Sequence, residues 1–356
     1  MKVAFIKEYP FGMFRRVIDN LCYKFMDNGY ALLPRNIMFE VTHRCNLRCK
    51  MCGYYGEAGV APNCRDEMSI VEIEKILDNI CDFSPFVTIT GGEPFIRKDM
   101  IDILELFNER NLKFGILTNG TLVNHDIARK LADLNPAFIN ISMDGPKEIH
   151  EIIRGHNTFD KTIGCIRSLK DNGYQNITIN CVISKMNFEH MHKMVGVAND
   201  LDVKLQYQHL QFTDKKRDDM HKKMIKKYFN FDHEDRTSGI CTKLFDFDIN
   251  KLIEQIRNIK IADDRIKFMP DLTLDDVGKY YLDLDNYIHS EYCMYPWREA
   301  RINPYGEMVY CIMEPTAGNL LDLPFGDIWN NKDMRHFRKV LRDEKLFPNC
   351  ARCCKI

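Results

Sequence analysis

The sequence has no excess of charge of either sign and no long apolar run. Of its 356 residues, 50 are Lys or Arg and 51 are Asp or Glu, so the formal net charge is −1. This balance gives no electrostatic reason to expect nucleic acid or another polyanion as a partner. No run of about 18 apolar residues occurs, so the sequence predicts no transmembrane segment.

The N-terminus also lacks the features of a secretory signal, because charged residues interrupt its apolar stretches. The chain has 14 cysteines. In a secreted protein they would indicate disulfides, but in a long chain with C-x-x-C spacings they indicate metal ligands. We therefore expect a cytoplasmic protein of an anaerobic or microaerobic cell.

Residues 1–35 are predicted to form a helical extension below the sheet. An interfacial membrane helix is the alternative, so peripheral membrane association stays open. The prediction of a helix rests on apolar residues at helical spacing: Phe11, Phe14, Val17, Ile18 and Leu21. The membrane alternative rests on the basic residues Arg15 and Arg16.

Six β-rich runs alternate with helical stretches and predict a parallel sheet. The predicted strands cover 36–42, 86–90, 113–118, 137–142, 176–184 and 203–210. A doubly wound open sheet is the plainest interpretation of this alternation. Polar motifs follow several of these strands, and functional sites of parallel sheets lie at the carboxyl ends of the strands.

Cys45, Cys49 and Cys52 follow the first predicted strand in the spacing C-x3-C-x2-C. Three thiolates cannot fill a tetrahedral zinc site, and no histidine or fourth cysteine stands nearby at zinc spacing. They can hold three irons of a [4Fe–4S] cube and leave the fourth iron open to a ligand. The spacing therefore indicates a cluster that does chemistry, with a structural zinc knuckle as the alternative.

Three further runs follow predicted strands: Gly91-Gly92-Glu93-Pro94, Thr118-Asn119-Gly120 and Ser142-Met143-Asp144-Gly145. With them the chain resembles the radical S-adenosylmethionine (SAM) enzymes over nearly its whole length. The resemblance implies an α/β fold with a partial (β/α)6 TIM-like barrel over residues 36–212. It also implies that SAM binds the open iron and is cleaved to a 5′-deoxyadenosyl radical, with electrons from a low-potential donor such as flavodoxin or ferredoxin.

The same resemblance implies a set of cofactor-binding residues. Glycines let the backbone approach the methionine moiety, and a glutamate accepts a charge-assisted hydrogen bond from its ammonium group. For Arg154 a surface ion pair is the alternative, and for Asn180 a buried polar residue of the strand. The set is Met51, Gly91, Gly92, Glu93, Pro94, Ser142, Asp144, Arg154 and Asn180.

Cys293, Cys311, Cys350 and Cys353 form a second set. Their spacing resembles Twitch, a shortened relative of the SPASM domain, over residues 291–356. A β-hairpin turning near 303–306 would bring the first two thiolates together, and a helix over 327–341 would return the chain to the last two. Four cysteines can fully ligate a second [4Fe–4S] cluster. A structural zinc is the alternative, and Cys354 could replace Cys353.

The predicted Twitch unit follows a connector over residues 213–290, which is predicted to be helical and irregular. A fully ligated second cluster can accept one electron from the substrate radical, so it predicts a net oxidation of the substrate. A small molecule such as a sugar or cyclitol is the first expectation for the substrate. The 1–35 extension leaves no place for the winged-helix domain that peptide-modifying relatives often carry, which lowers but does not remove the peptide alternative.

Three further hypotheses concern the substrate, the reaction and the class of protein. They are a lipid substrate, epimerisation with Cys241 as hydrogen donor, and a non-catalytic iron–sulfur or zinc protein acting as a sensor or scaffold. Modification of tRNA is disfavoured, because the chain has no appended basic domain. Arg298 and Glu314 are named as candidate bases for alcohol oxidation, but no catalytic residue is assigned.

Overall fold

The computed structural model describes residues 10–56, 65–231, 240–288, 290–311 and 315–353. The strands in this part of the chain are β1 (Asn36–Glu40), β2 (Phe86–Thr90), β3 (Phe114–Thr118), β4 (Ile139–Ser142), β5 (Ile177–Ile183), β6 (Lys204–His209), β7 (Lys267–Met269), β8 (Glu299–Ile302), β9 (Glu307–Val309) and β10 (Thr316–Asn319).

The helices up to the end of the alternating region are α1 (Pro10–Phe25), α2 (Ile70–Ile80), α3 (Met100–Glu109), α4 (His125–Leu134), α5 (Lys147–Arg154), α6 (Thr158–Asp171) and α7 (Met191–Asp200). Those that follow are α8 (Lys215–Phe229), α9 (Ile249–Ala262), α10 (Leu274–Leu282), α11 (Tyr295–Arg298), α12 (Phe325–Trp329) and α13 (Lys332–Asp343).

The strands form one sheet in the order β10-β9-β8-β1-β2-β3-β4-β5-β6-β7. Strands β1 to β7 are parallel neighbours in chain order, and β8 runs parallel to the other edge of β1. The six strands predicted from the sequence are all present, with ends trimmed by one or two residues except at β2. The α/β fold with a partial barrel is therefore confirmed.

Burial alternates along the barrel strands, because successive side chains point to opposite faces of a sheet. On β1, Ile37 and Phe39 are fully buried, and the ring of Phe39 packs against Phe107 of α3 at 6.3 Å. The opposite face, with Asn36 and Met38, is only half-buried. One face of the sheet thus packs on the helices, and the other lines the inside of the barrel.

The connector is more regular than the sequence predicted. Within the connector predicted over residues 213–290, the structure places the strand β7 and the helix α10. Phe268 of β7 is buried and stacks on Tyr207 of β6 at 5.2 Å. A three-residue strand has too little alternation to be recognised in the sequence, so its pairing with β6 decided its structure.

The C-terminal unit contains the predicted β-hairpin and extends the sheet beyond β1. Strands β8 and β9 are antiparallel, and Gly306 of the turn has a φ of +79°, which a glycine adopts without strain. The predicted helix over 327–341 is two helices, α12 and α13. Asn331 separates them, and its side chain caps α13 by accepting a hydrogen bond from the Met334 N–H at 2.7 Å.

Helix α1 lies at the amino ends of β1 and β8. Asp19 forms ion pairs there with Arg35, at 3.5 Å, and with Arg298, at 3.7 Å. On the outer face of α1, Leu21 is 48% exposed and Phe25 is 72% exposed. In the described part of the chain, no helix combines the length and the apolar character needed to cross a membrane.

Candidate functional site

The loop that carries the first cysteines begins where β1 ends and stays paired with the chain that leaves β2. The N–H of Gly92 donates to the Thr42 carbonyl at 2.8 Å, and that of Glu93 donates to the Arg44 carbonyl at 2.9 Å. The run Gly91-Gly92-Glu93 therefore lies beside the residues that lead into Cys45.

This contact requires glycine. A Cβ on Gly91 would stand 2.2 Å from the Thr42 carbonyl oxygen, and one on Gly92 would stand 2.2 Å from that of Arg44. Gly91 also has a φ of +152°. The sequence suggested that the glycines make room for a cofactor. The structure shows that they make room for the cysteine loop itself, and their contact with a cofactor stays a prediction.

The thiols of Cys45, Cys49 and Cys52 lie on this loop and influence one another. Burial raises the pKa of Cys45 to about 11, and Glu93 and the other two thiols add to that effect. Burial also raises the pKa of Cys49, against the opposing charge of Arg154, whose Nη1 lies 3.8 Å from the Cys49 sulfur. Metal binding would draw the protons from thiols in this position, because thiolates are the ligating form.

In the described part of the chain, no three cysteine, histidine or carboxylate side chains stand close enough together to hold a single metal ion. The thiolates of a [4Fe–4S] cube bind different irons and stand farther apart than the ligands of one ion. An all-thiol donor set of this kind suits an iron–sulfur cluster. The residues present thus fit the cluster, and their role as its ligands remains our proposal.

Glu93 is buried and joins the ends of β2 and β3. Its carboxylate accepts hydrogen bonds from the Thr118 hydroxyl and the Asn119 N–H, each at 2.7 Å, and from the Phe95 N–H at 3.2 Å. Burial raises the pKa of Glu93, although these donors oppose the rise. Pro94, buried in the 3-10 turn that follows, stiffens this corner. The predicted bond to an ammonium group would add to contacts that already hold the carboxylate.

Asp144 and Arg154 form a buried ion pair beside Cys49. The Arg154 Nε lies 2.5 Å from one Asp144 oxygen, and the Val182 N–H donates to the other at 2.9 Å. Burial alone would lower the pKa of Arg154, but Asp144 and Cys49 raise it above its ordinary value. The structure thus removes the alternative of a surface ion pair. The predicted contacts of both residues with SAM remain proposals.

Ser142 and Asn180 face the inside of the barrel from adjacent positions of β4 and β5. The amide of Asn180 bonds those of Gln206 and Gln208 on β6, at 3.2 and 3.3 Å. Asn180 is therefore half-buried in an amide ladder on the inner wall. Met51 packs at the edge of the core near the cysteine loop.

Sequence reasoning missed a buried charged group inside the barrel. Glu40, the last residue of β1, pairs with Arg301 of β8, and its other oxygen lies 3.3 Å from Nε2 of His43. Burial alone would raise the pKa of Glu40, but Arg301 and His43 hold it at about 2. The hydroxyl of Tyr305 lies 3.4 Å from Nδ1 of His43. The signal in the sequence was a charged residue of opposite sign in each strand, Glu40 in NIMFE and Arg301 in EARI.

The second set of cysteines converges around Tyr295. The Tyr295 N–H donates to the Cys293 sulfur at 3.4 Å. Burial raises the pKa of the Tyr295 hydroxyl well above its ordinary value, and Cys311 and Cys353 lie close enough to add to the rise. Cys350 lies in the 3-10 turn Pro348–Arg352, and Cys353 directly follows that turn, where its N–H donates to the Cys350 carbonyl at 3.1 Å. Four thiols from distant parts of the sequence thus approach one region.

Two of the remaining sequence predictions can be placed. Arg298 precedes β8 and bonds Asn20 of α1 at 3.0 Å, at the amino ends of the strands. It therefore lies near Cys293 of the second set, away from the carboxyl end of β1 where the first set begins. Its role as a base stays a prediction. Cys241 forms a β-bridge with Thr213 just beyond the carboxyl end of β6. Glu314 and Cys354 lie outside the described residues.

Protein-family models match both the barrel and the C-terminal unit of the chain. The model of the Radical SAM superfamily matches residues 39–198, and that of the iron–sulfur cluster-binding domain SPASM matches residues 293–354. The protein is a radical SAM enzyme. Membership implies SAM and a [4Fe–4S] cluster for the barrel, and the SPASM match implies auxiliary iron–sulfur chemistry for the C-terminal unit of this radical SAM enzyme.

Named relatives extend over most of the chain. The AdoMet-dependent heme synthase of Methanosarcina barkeri is 24% identical over 325 residues, covering 90% of this chain and 88% of that protein. Mycofactocin maturase MftC of Mycolicibacterium smegmatis is 26% identical over 341 residues, covering 90% of this chain and 75% of that protein. Two further curated relatives are matched over under two fifths of their own length.

Solved structures agree on the fold. Streptococcus suis SuiB bound to its precursor peptide SuiA superimposes with a TM-score of 0.62 at 16% identity, covering 86% of this chain and 67% of that one. At this identity the likeness concerns the fold alone.

Proposed function

We propose that this radical SAM enzyme oxidises a peptide substrate held inside the barrel, between the two sets of cysteines. When bound, SAM and the first cluster would supply a radical that abstracts a hydrogen atom from the substrate. A second cluster would accept one electron from the resulting substrate radical. The protein itself holds these groups, orients the substrate and keeps water out.

The residues on the barrel side would hold and orient the cofactor. Cys45, Cys49 and Cys52 are the proposed ligands of the first cluster. Arg154, kept in place by Asp144, presents a cation beside Cys49. An Arg guanidinium in that position suits a carboxylate such as that of the SAM methionine moiety, because it offers several donors in one plane.

The inner wall of the barrel is the observation that carries the choice of substrate. Its positions on β4, β5 and β6 are half-buried, while the alternate positions of these strands are mostly buried. Apart from Val182 and Lys204, they carry amides and hydroxyls: Asn140, Ser142, Thr178, Asn180, Gln206 and Gln208. A substrate without hydrogen-bonding groups would displace water from this wall without replacing its hydrogen bonds, at a cost of about 1–3 kcal/mol for each polar group left without a partner. The wall therefore favours a peptide or another polar molecule over a lipid.

The names of the relatives favour a peptide among the polar candidates. One relative that spans most of the chain is a maturase, and one protein of like fold was solved with a precursor peptide. A sugar or cyclitol, the expectation from the sequence, stays the second candidate because its hydroxyls would satisfy the same wall. The name of the heme synthase suggests a tetrapyrrole as a third candidate substrate, which the experiment must distinguish from the other two.

The test is hydrogen transfer from substrate to cofactor. The anaerobically reconstituted protein is reduced with dithionite or flavodoxin in the presence of SAM and one deuterated candidate: a peptide encoded beside the gene, a cyclitol or coproporphyrin. We expect deuterium in 5′-deoxyadenosine and loss of hydrogen from the peptide, measured by mass spectrometry. Deuterium from only the cyclitol or the tetrapyrrole would contradict the peptide proposal. The matched control is Cys45→Ala, which should give no labelled 5′-deoxyadenosine.

A further inference from the structure

Arg352 lies within the C-x2-C pair, between Cys350 and Cys353, in the 3-10 turn Pro348–Arg352. It is only 1% exposed. Among the described residues, no carboxylate lies at ion-pair distance from its guanidinium. Burying a charged group is costly, so its hydrogen bonds must offset that cost.

The guanidinium of Arg352 caps the carboxyl end of α10. It donates to the carbonyls of Lys279, at 3.3 Å, and of Tyr280 and Asp283, and to that of Asn286 at 3.0 Å. The last carbonyls of a helix have no partner within the helix, and the negative end of its dipole favours a cation. This single side chain therefore fastens the C-x2-C turn to the end of α10.

Helix α10 is in turn fixed to the barrel. The Tyr281 hydroxyl lies 2.9 Å from Nδ1 of His209, the last residue of β6. The Tyr280 hydroxyl lies 3.0 Å from the Leu210 carbonyl and 3.2 Å from that of Arg352 itself. Through α10, the C-x2-C turn is thus positioned relative to the carboxyl end of the barrel strands.

A second contact supports the same turn. Asn349, which directly precedes Cys350, donates to the Asp218 carboxylate at 3.0 Å and accepts from the Thr213 hydroxyl at 2.9 Å. These partners belong to the segment between β6 and α10. The connector of the sequence prediction is therefore the support on which the last two cysteines rest.

We propose that Arg352 is a positioning residue for the second cluster, because its cap on α10 holds Cys350 and Cys353 where they can complete a site with Cys293 and Cys311. This inference rests on the proposed function, which places a second cluster there. Without the guanidinium, buried carbonyls of α10 lose their donors, and the turn must move to satisfy them. Thiolates displaced in this way would no longer complete the ligand set of the cube.

The experiment uses the full chain, reconstituted anaerobically, with Arg352→Met, Arg352→Gln and Arg352→Lys. Iron and acid-labile sulfide are measured per chain, and the SAM-perturbed EPR signal of the first cluster reports an intact barrel. We expect Arg352→Met to lose about half of the iron, since two cubes hold about four irons each, while that signal persists. Arg352→Gln should lose less, and Arg352→Lys should recover most of the iron because it keeps a cationic donor.

Arg338 is the matched control. It is also fully buried, and it donates to the carbonyls of Pro296, at 2.7 Å, and Trp329, at 2.8 Å, while its guanidinium lies 4.2 Å from the Trp329 ring centroid. No cysteine stands next to it in the sequence. Arg338→Met should therefore lower the unfolding temperature as Arg352→Met does and keep its iron.

Full iron in Arg352→Met and Arg352→Gln, or equal iron loss in Arg338→Met, would overturn the inference. If Arg352→Met does not fold, the comparison of Arg352→Gln with Arg352→Lys decides in the same way. A wild-type chain with about four irons would instead contradict the second cluster, and with it the proposed function.

Discussion

The two sets of cysteines are held in place in different ways. The first set lies within one short loop, and its position follows from the strand before it and from the glycines that pair with it. The second set comes from three distant parts of the sequence, and α10 and the segment before it support its last two members. A compact motif thus brings its own local geometry, whereas a dispersed motif takes its geometry from the rest of the fold.

The two regions also differ in what surrounds the thiols. Around the first set stand buried charged groups, with Glu93, Asp144 and Arg154 close enough to shift the pKa values of Cys45 and Cys49. Around the second set stand Tyr295, backbone groups and two arginines, Arg298 near Cys293 and Arg352 between Cys350 and Cys353. The first region thus holds an ion pair of opposite charges beside a thiol, which suits the proposed binding of a zwitterionic cofactor.

Loss of a cysteine from the first set is expected to have the largest effect. Cys45→Ala should abolish cleavage of SAM, because an incomplete set of three thiolates cannot hold the open cluster. The measurement is 5′-deoxyadenosine formed per chain under anaerobic reduction. Cys165→Ala is the control, since Cys165 is a buried core residue of α6. Persistent 5′-deoxyadenosine in Cys45→Ala would refute the assignment of the first set.

Loss of a cysteine from the second set separates the two regions. Cys311→Ala should keep SAM cleavage, at least in part, and stop formation of the oxidised product, because the electron acceptor is lost. Both products are measured in the same reaction by chromatography and mass spectrometry. Cys22→Ala, a buried cysteine of α1, serves as the control. An unchanged yield of oxidised product would reduce the second metal to a structural role.

A change that leaves every cysteine in place tests the local support of the first set. Gly92→Ala would place a Cβ 2.2 Å from the Arg44 carbonyl oxygen, so the cysteine loop must shift. We expect a severalfold loss of first-cluster iron, measured by EPR, with second-cluster iron retained. Gly164→Ala is the control: no atom lies within 4 Å of its added Cβ, and in a helix the change should stabilise by about 0.5–1 kcal/mol. Equal iron in both variants would speak against the role given to Gly92.

The smallest expected effect concerns the buried pair of Glu40 and Arg301, which joins the two regions through β1 and β8. Since the folded pKa of Glu40 is about 2 and its ordinary value is 4.5, the folded state favours the ionised form. Its contribution to stability, at most about 3 kcal/mol, is complete above pH 4.5, declines as the pH falls and is lost below about pH 2.

Urea unfolding of the iron-free chain measures this contribution without interference from acid release of iron. The stability difference between wild type and Glu40→Gln should stay constant from pH 8 to pH 5 and shrink at lower pH. A difference that does not change down to pH 3 would mean that Glu40 is not held ionised by Arg301.

The sequence was a good guide where a pattern is local. Apolar β-rich runs between helical stretches predicted β1 to β6, and the turn near Gly306 predicted the hairpin. The sequence did not reveal β7, which is short and depends on packing against Tyr207. It named Arg298 as a candidate base, but it could not show that this residue bonds Asn20 of α1 at the amino end of β8.

The sequence by itself determined the chemistry available to this protein: three closely spaced thiols after a strand, glycines where a side chain would collide, and a second group of thiols near the C-terminus. Only the tertiary structure decided which groups support them. Glu40 meets Arg301 because β8 pairs with β1, and Arg352 caps α10 because β7 adds to the sheet beside β6. Such contacts join residues far apart in sequence, so their partners are set by sheet order and by the pairing of buried polar groups.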